Sequence, residues 1–123
     1  MVRPVLTNTP LQALDLMNDV TFVEAARVFA ERVMKDGGAT PSERIAYAFR
    51  AATARRPQPT ETAVLEDAFV ENLELFKSKP DAAVKYVSHG EYPRDTRLDV
   101  GELAAYTSVT SLILNLNEVV MKE

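Results

Sequence analysis

LAAYTSVTSLILNLN, residues Leu103–Asn117, runs for fifteen positions without a side chain that is charged at neutral pH. A helix that is apolar or small on every side belongs inside a protein, because no face of it gains from contact with water. Six of its side chains, Thr107, Ser108, Thr110, Ser111, Asn115 and Asn117, are nevertheless polar. The run also falls short of the roughly 18–20 apolar residues that a membrane span needs. It therefore reads as a buried helix rather than an anchor. A second charge-free stretch, PVLTNTPLQAL from Pro4 to Leu14, lies near the other end and is its natural packing partner. The expected fold is all-α, a compact bundle of about five to six helices with the N- and C-terminal helices packed together in the core.

Working outward from these ends, start and stop signals divide the chain. Thr9-Pro10 opens a short helix that closes near Asn18-Asp19. From Val20 to Lys35, Phe22, Ala26, Phe29, Ala30 and Val33 recur at helical spacing, while Glu24, Arg27, Glu31 and Lys35 line up on what reads as the solvent side. Gly37-Gly38 ends that helix. Thr40-Pro41-Ser42-Glu43 has the pattern of a capping box with proline in the first turn, and Ile45, Ala48, Phe49 and Ala52 form the stripe of the helix it starts. Arg55-Arg56-Pro57-Gln58-Pro59 interrupts. The next helix, from Thr60 to just before Pro80, turns Leu65, Ala68, Phe69, Leu73 and Phe76 inward and Glu66, Asp67, Glu71 and Glu74 outward. A brief helix from Pro80 through Tyr86 and Val87 to Gly90, a loop read over Ser88–Leu98, and an Asp99 cap with Glu102 three positions later complete the pattern. No strand signal is present.

The bulk composition bounds function. The chain has 123 residues, 46% hydrophobic and 26% charged, the balance of one globular domain, and its 14 Lys plus Arg against 18 Asp plus Glu leave a formal charge of −4. That charge offers no general attraction to nucleic acid or to anionic lipid. The absence of cysteine excludes disulfides, thiolate chemistry and covalent CxxCH haem attachment within the chain, and no cofactor is expected in it. The N-terminus carries no basic-then-apolar signal peptide pattern, and core-like residues follow Met1 at once, which reads as part of a longer polypeptide.

No catalytic constellation stands out. His89 is the single histidine and has no second ligand at helical spacing. The Glu66–Glu74 carboxylates have the spacing of any solvated helix face. Thr107, Ser108, Thr110 and Ser111 lack a neighbouring base and read as hydroxyls bonded to the carbonyl four residues back. Arg50, Arg55 and Arg56 form the one basic cluster, at a helix C-terminus. Asn8, Asn18, Asn115 and Asn117 read as helix-end caps. If polar groups converge instead, Asn8, Gln12, Arg55 and Asn115 are the candidate interaction residues. Met17, Met34 and Met121 read as core filler rather than haem ligands.

Three elements carry a family resemblance. TNTPLQALDLMND with FVEAARVFAERV, ERIAYAFRAATARRPQPTE, and ELAAYTSVTSLILNLNE together resemble the C-terminal PSD-type domain of unknown function found in large planctomycete proteins. The diagnostic parts are Thr7–Leu14, the R-x-P-x-x-E element at Arg55–Glu61 with one extra residue between Pro57 and Thr60, and Leu116–Glu118. The resemblance implies a single helical domain over residues 1–123, the C-terminal part of a larger protein that is exported to the periplasm or cell envelope. A second uncharacterised domain and often a cytochrome c-like haem domain precede it in such proteins. It assigns no catalytic residue, and at Tyr106 it implies a tryptophan whose exchange for tyrosine preserves packing. Two functional expectations follow: a structural or interaction module that packs against upstream domains and shows an exposed apolar patch when isolated, or a part of an active site completed by the preceding domain.

Overall fold

The computed structural model describes residues 20–88, 90 and 92–121, with side chains from 22 to 116 except 89 and 91. Five helices are present among them: α1 (Val20–Asp36), α2 (Pro41–Thr53), α3 (Pro59–Ser78), α4 (Pro80–Val87) and α5 (Val100–Met121). The all-α bundle expected from the sequence is what forms. The first described helix, α1, packs along the last, α5, and α2, α3 and α4 also pack on α5. The expected helix at Thr9–Met17 and the stretch Pro4–Leu14 lie outside the described residues.

Helix α5 is the axis of the molecule because nothing on it from Leu103 to Leu116 carries a charge. Gly101 and every residue from Leu103 to Ser111 are buried, as are Ile113 and Leu116. Its hydroxyls make that burial tolerable. Thr107 Oγ1 donates to the carbonyl of Leu103 at 2.7 Å, the bond expected four residues back. Thr110 Oγ1 instead donates across the bundle to the carbonyl of Ala26 on α1, 2.8 Å away, as well as to that of Thr107 at 3.0 Å. Ser111 Oγ is buried without a partner. The asparagines are a correction: α5 continues to Met121, so Asn115 and Asn117 sit inside the helix and do not cap its end.

Local signals set the other boundaries. Thr40 Oγ1 accepts the Glu43 N–H at 3.2 Å while the Glu43 carboxylate accepts the N–H groups of Ala39 and Thr40 at 3.0 and 3.2 Å, so the expected capping box is complete. At the start of α5 only half of one forms: Asp99 accepts the Glu102 N–H at 2.9 Å, and the Glu102 carboxylate lies toward Arg44 instead. Gly38, at φ +113°, turns the chain out of α1 through a conformation that a side chain would strain. Phe76 stacks on Tyr86 with ring centroids 5.6 Å apart and pins α4 back on α3.

Helix α2 closes differently. Ala54 adopts the left-handed conformation, φ 64° and ψ 18°, and its N–H returns to the Arg50 carbonyl at 2.8 Å. An alanine there carries the Cβ penalty that a glycine avoids. Ala54→Gly is therefore expected to raise stability by about 0.5–1 kcal/mol, the relief exceeding the entropy added to the unfolded chain. Urea denaturation of the two proteins checks this, and a destabilised variant would contradict it.

Candidate functional site

The middle of the line of charges on α1 is not solvated, although Lys35 at its end is exposed. Arg27 is 1% exposed and Glu31 8%. The reason is that Tyr92, Pro93 and Asp95 lie over that side of α1 and meet Arg27 and Glu31 with their backbone. Arg27 Nη1 donates to Glu31 Oε2 at 3.1 Å and, more weakly, to the Pro93 carbonyl at 3.4 Å, while Nη2 donates to the Tyr92 carbonyl. The Tyr92 ring lies 6.0 Å from the guanidinium carbon. Glu31 Oε2 in turn accepts the Asp95 N–H at 2.8 Å, and Glu24 Oε2 accepts that of Tyr92 at 2.6 Å. Gly90, at φ +89°, permits this closeness, since a Cβ there would collide with the Glu24 carboxylate.

Asp95 closes the clasp. Its carboxylate meets Arg97 Nε and Nη2 at 3.0 Å each, the Arg97 N–H at 3.0 Å and Lys35 Nζ at 2.7 Å. The bonds from Arg97, and then that from Lys35, hold its pKa well below the usual aspartate range. A carboxyl depressed in the folded state stabilises above its unfolded pKa and loses that contribution as the pH falls toward the folded value. Asp95→Asn should thus lower stability at pH 7, and the gap from the parent chain should narrow steadily on acidification to about pH 2. Urea midpoints at several pH values read this out; a gap that stays constant would contradict it.

A second ion pair organises the corner between α2 and α3. Arg55 forms a two-pronged bond with Glu61, both N···O distances 3.0 Å, and its guanidinium lies 4.8 Å from the centre of the Phe49 ring. Glu61 is buried and accepts the Gln58 N–H at 2.8 Å, which satisfies one of the free donors at the start of α3. The bond to Glu61 raises the Arg55 pKa further above neutrality. The two ends of the R-x-P-x-x-E element thus hold each other across Pro57 and Pro59.

Elsewhere, Arg44 links the α1–α2 turn to the core. Its Nε donates to the Gly38 carbonyl at 3.0 Å, Nη1 approaches the Tyr106 hydroxyl at 3.4 Å, and its guanidinium carbon lies 5.4 Å from the Tyr106 ring centre. Burial pushes the Tyr106 phenol up from its ordinary pKa, so it stays neutral.

Of the candidate interaction residues, Arg55 is committed to Glu61, Asn115 is half-buried on α5, and Asn8 and Gln12 lie outside the described residues, as does His89. With Asn8 and Gln12 there, a convergence of the four falls outside the described residues as well. Sequence reasoning missed Glu24, Glu31, Glu61 and Asp95 as partners. For Glu61 a signal existed in the spacing from Arg55 around two prolines; for the clasp, the contacts between α1 and the loop span 60 or more positions and left none. Met34 is buried in the core, as expected of filler. Among the described residues there is no group of three or more His, Cys, Asp or Glu side chains placed to hold a metal, and no helix long and apolar enough to cross a membrane.

Two shallow surfaces remain. A groove of about 580 Å³ runs beside α1 between Ala25, Val28, Phe29 and Tyr92, edged by Glu24 and Arg32. On α2, hollows of about 620 and 350 Å³ share Ala46 and Arg50. The apolar side chains most exposed among the described residues, Val70, Leu75, Val84 and Tyr92, are spread over α3, α4 and the loop.

Comparison with known proteins adds a family. No curated protein and no solved structure matches the chain. Residues 1–69, more than half of the chain and including α1, α2 and the Arg55–Glu61 corner, match PSD1, described as a protein of unknown function (DUF1553), and the chain belongs to that family.

Proposed function

We propose that this chain is a non-catalytic packing module of a larger exported protein, seated against the domains that precede it. The observation that carries the reading is the use of its buried charges. Arg27 and Glu31 are engaged by loop backbone, and Glu61 by Arg55 and a helix start. A catalytic site keeps at least one such group free to meet a substrate. Arg55, which the enzyme reading needed in an open cleft, is instead tied down at both prongs. The resemblance of the three sequence elements supports the finer setting, a planctomycete protein whose redox chemistry, where a cytochrome c-like domain is present, belongs to that domain.

The test compares the full-length parent with a version lacking this chain. Loss of compact assembly, read by sedimentation and limited proteolysis, with the parent's chemistry retained is the expected result. Loss of turnover with assembly intact would overturn the proposal in favour of a shared active site.

A further inference from the structure

The charged surface of α2 points to a more specific role, which rests on the packing-module reading. Ser42, Ala46 and Arg50 fall at intervals of four along one face of α2, and Arg56, Pro57 and Thr62 close one end of the hollow over that face. A second hollow, lined by Glu43, Ala46, Tyr47, Arg50 and Ala51, continues it along the same helix. From Ser42 to Arg50 the strip is about 12 Å long at the helical rise, room for a few residues of extended chain. Ala46 lines both hollows and Ala51 one of them, small side chains that let another backbone come close.

Charge says what fits there. Arg50 and Arg56 are exposed, and neither has an ion-pair partner among the described residues, unlike Arg27, Arg44, Arg55 and Arg97. The trough's carboxylate, Glu43, is held by the N–H groups of Ala39 and Thr40 and turned into the α2 cap. The trough is therefore cationic on a chain whose formal charge is −4. We propose that it docks an acidic, partly apolar peptide segment from a neighbouring domain, with carboxylates on Arg50 and Arg56 and an apolar side chain over Ala46 and Tyr47.

The test titrates the full chain, observed by backbone amide NMR, with a short blocked peptide alternating leucine with glutamate. Glutamine in place of glutamate gives one control peptide, and inorganic phosphate is a separate arm. Shifts centred on Ala46, Tyr47, Arg50 and Arg56 are expected, with affinity falling about tenfold or more for the glutamine peptide and for the Arg50→Glu/Arg56→Glu variant. Both arginines are exposed, so the variant should keep its fold, and an unchanged amide spectrum away from α2 verifies that. A Lys77→Glu/Lys79→Glu variant should bind as the parent chain does. Equal binding by the arginine variant, shifts centred on other cations, or phosphate competing as well as the peptide would overturn the proposal. A parent protein that falls apart without this chain yet assembles normally with Arg50→Glu/Arg56→Glu would overturn the docking site and leave the packing module standing.

Discussion

Arg27→Met is expected to cost about 3–5 kcal/mol, a large share of a small domain's stability, because it breaks a buried ion pair and leaves the partner behind. The residue is all but sealed from solvent, so the loss is not screened by water. Without the guanidinium, the carbonyls of Tyr92 and Pro93 lose their donor and Glu31 keeps only the Asp95 N–H. Arg27 Nε finds no partner even in the intact protein, which trims the net value of the group but not the penalty for removing it. Arg27→Lys should recover only part of the loss, since an ammonium cannot reproduce a planar fork facing two carbonyls and a carboxylate. Arg27→Met/Glu31→Leu removes both charges and should be more stable than Arg27→Met, though still below the parent chain because the loop's backbone groups stay unmet. Equilibrium urea unfolding gives the energies, and hydrogen exchange at the Tyr92 and Asp95 amides locates the effect. A cost below about 1 kcal/mol, typical of an exposed pair, would show that the clasp is not what holds the loop.

The contrast between that clasp and the helix ends explains what the sequence could and could not reveal. The box at Thr40 and Glu43, the cap at Asp99 and the breaks before Pro59 and Pro80 each depend on groups within about four residues, and they are where local reasoning placed them. The burial of α5 was legible for a similar reason, since a fifteen-residue stretch without charge carries its own requirement for cover. Glu24, Arg27, Glu31 and Lys35 looked like a solvated stripe because opposite charges at helical spacing ordinarily are one. What reversed that reading was a loop more than 60 positions away, whose path no local pattern encodes. Asn115 misled in the opposite direction. An amide after an apolar run looks like a helix end, but the residues that follow continue α5, and the cap was not needed there.

The same logic separates the two arginine pairs from Arg50 and Arg56. Arg27 and Arg55 are each matched by a carboxylate and by backbone carbonyls, so they specify how one chain closes on itself. Arg55 belongs to the part of the chain that matches the family, and its bond to Glu61 ties the segment after α2 to the first turn of α3. Arg50 and Arg56, a few positions away, have no such intramolecular role among the described residues, which is why an external partner is sought for them and not for Arg55.

Tyr106→Ala should be the other severe change, with an expected cost of about 3–5 kcal/mol. The side chain is 1% exposed at the centre of α5, and its ring lies 4.4 Å from that of Phe69 at a tilt of 33°. Truncation would remove the aromatic pair and open a void between α3 and α5 that neither helix can close without disturbing the rest of the bundle. It would also take away the ring that Arg44 lies against, loosening the turn between α1 and α2 through the Arg44 bond to Gly38. Tyr106→Phe separates the two contributions: it keeps the ring and the volume, loses only a long contact to Arg44, and should cost less than about 1 kcal/mol. Tyr106→Trp tests the implication of the family resemblance that the two rings are interchangeable here. With α5 buried on every side at this level, the added volume has no free space to enter and should cost about 1–3 kcal/mol unless neighbours repack. A tryptophan variant as stable as the parent chain would mean that Phe69 and Arg44 move aside easily, and the alanine variant should then prove milder than a rigid core demands.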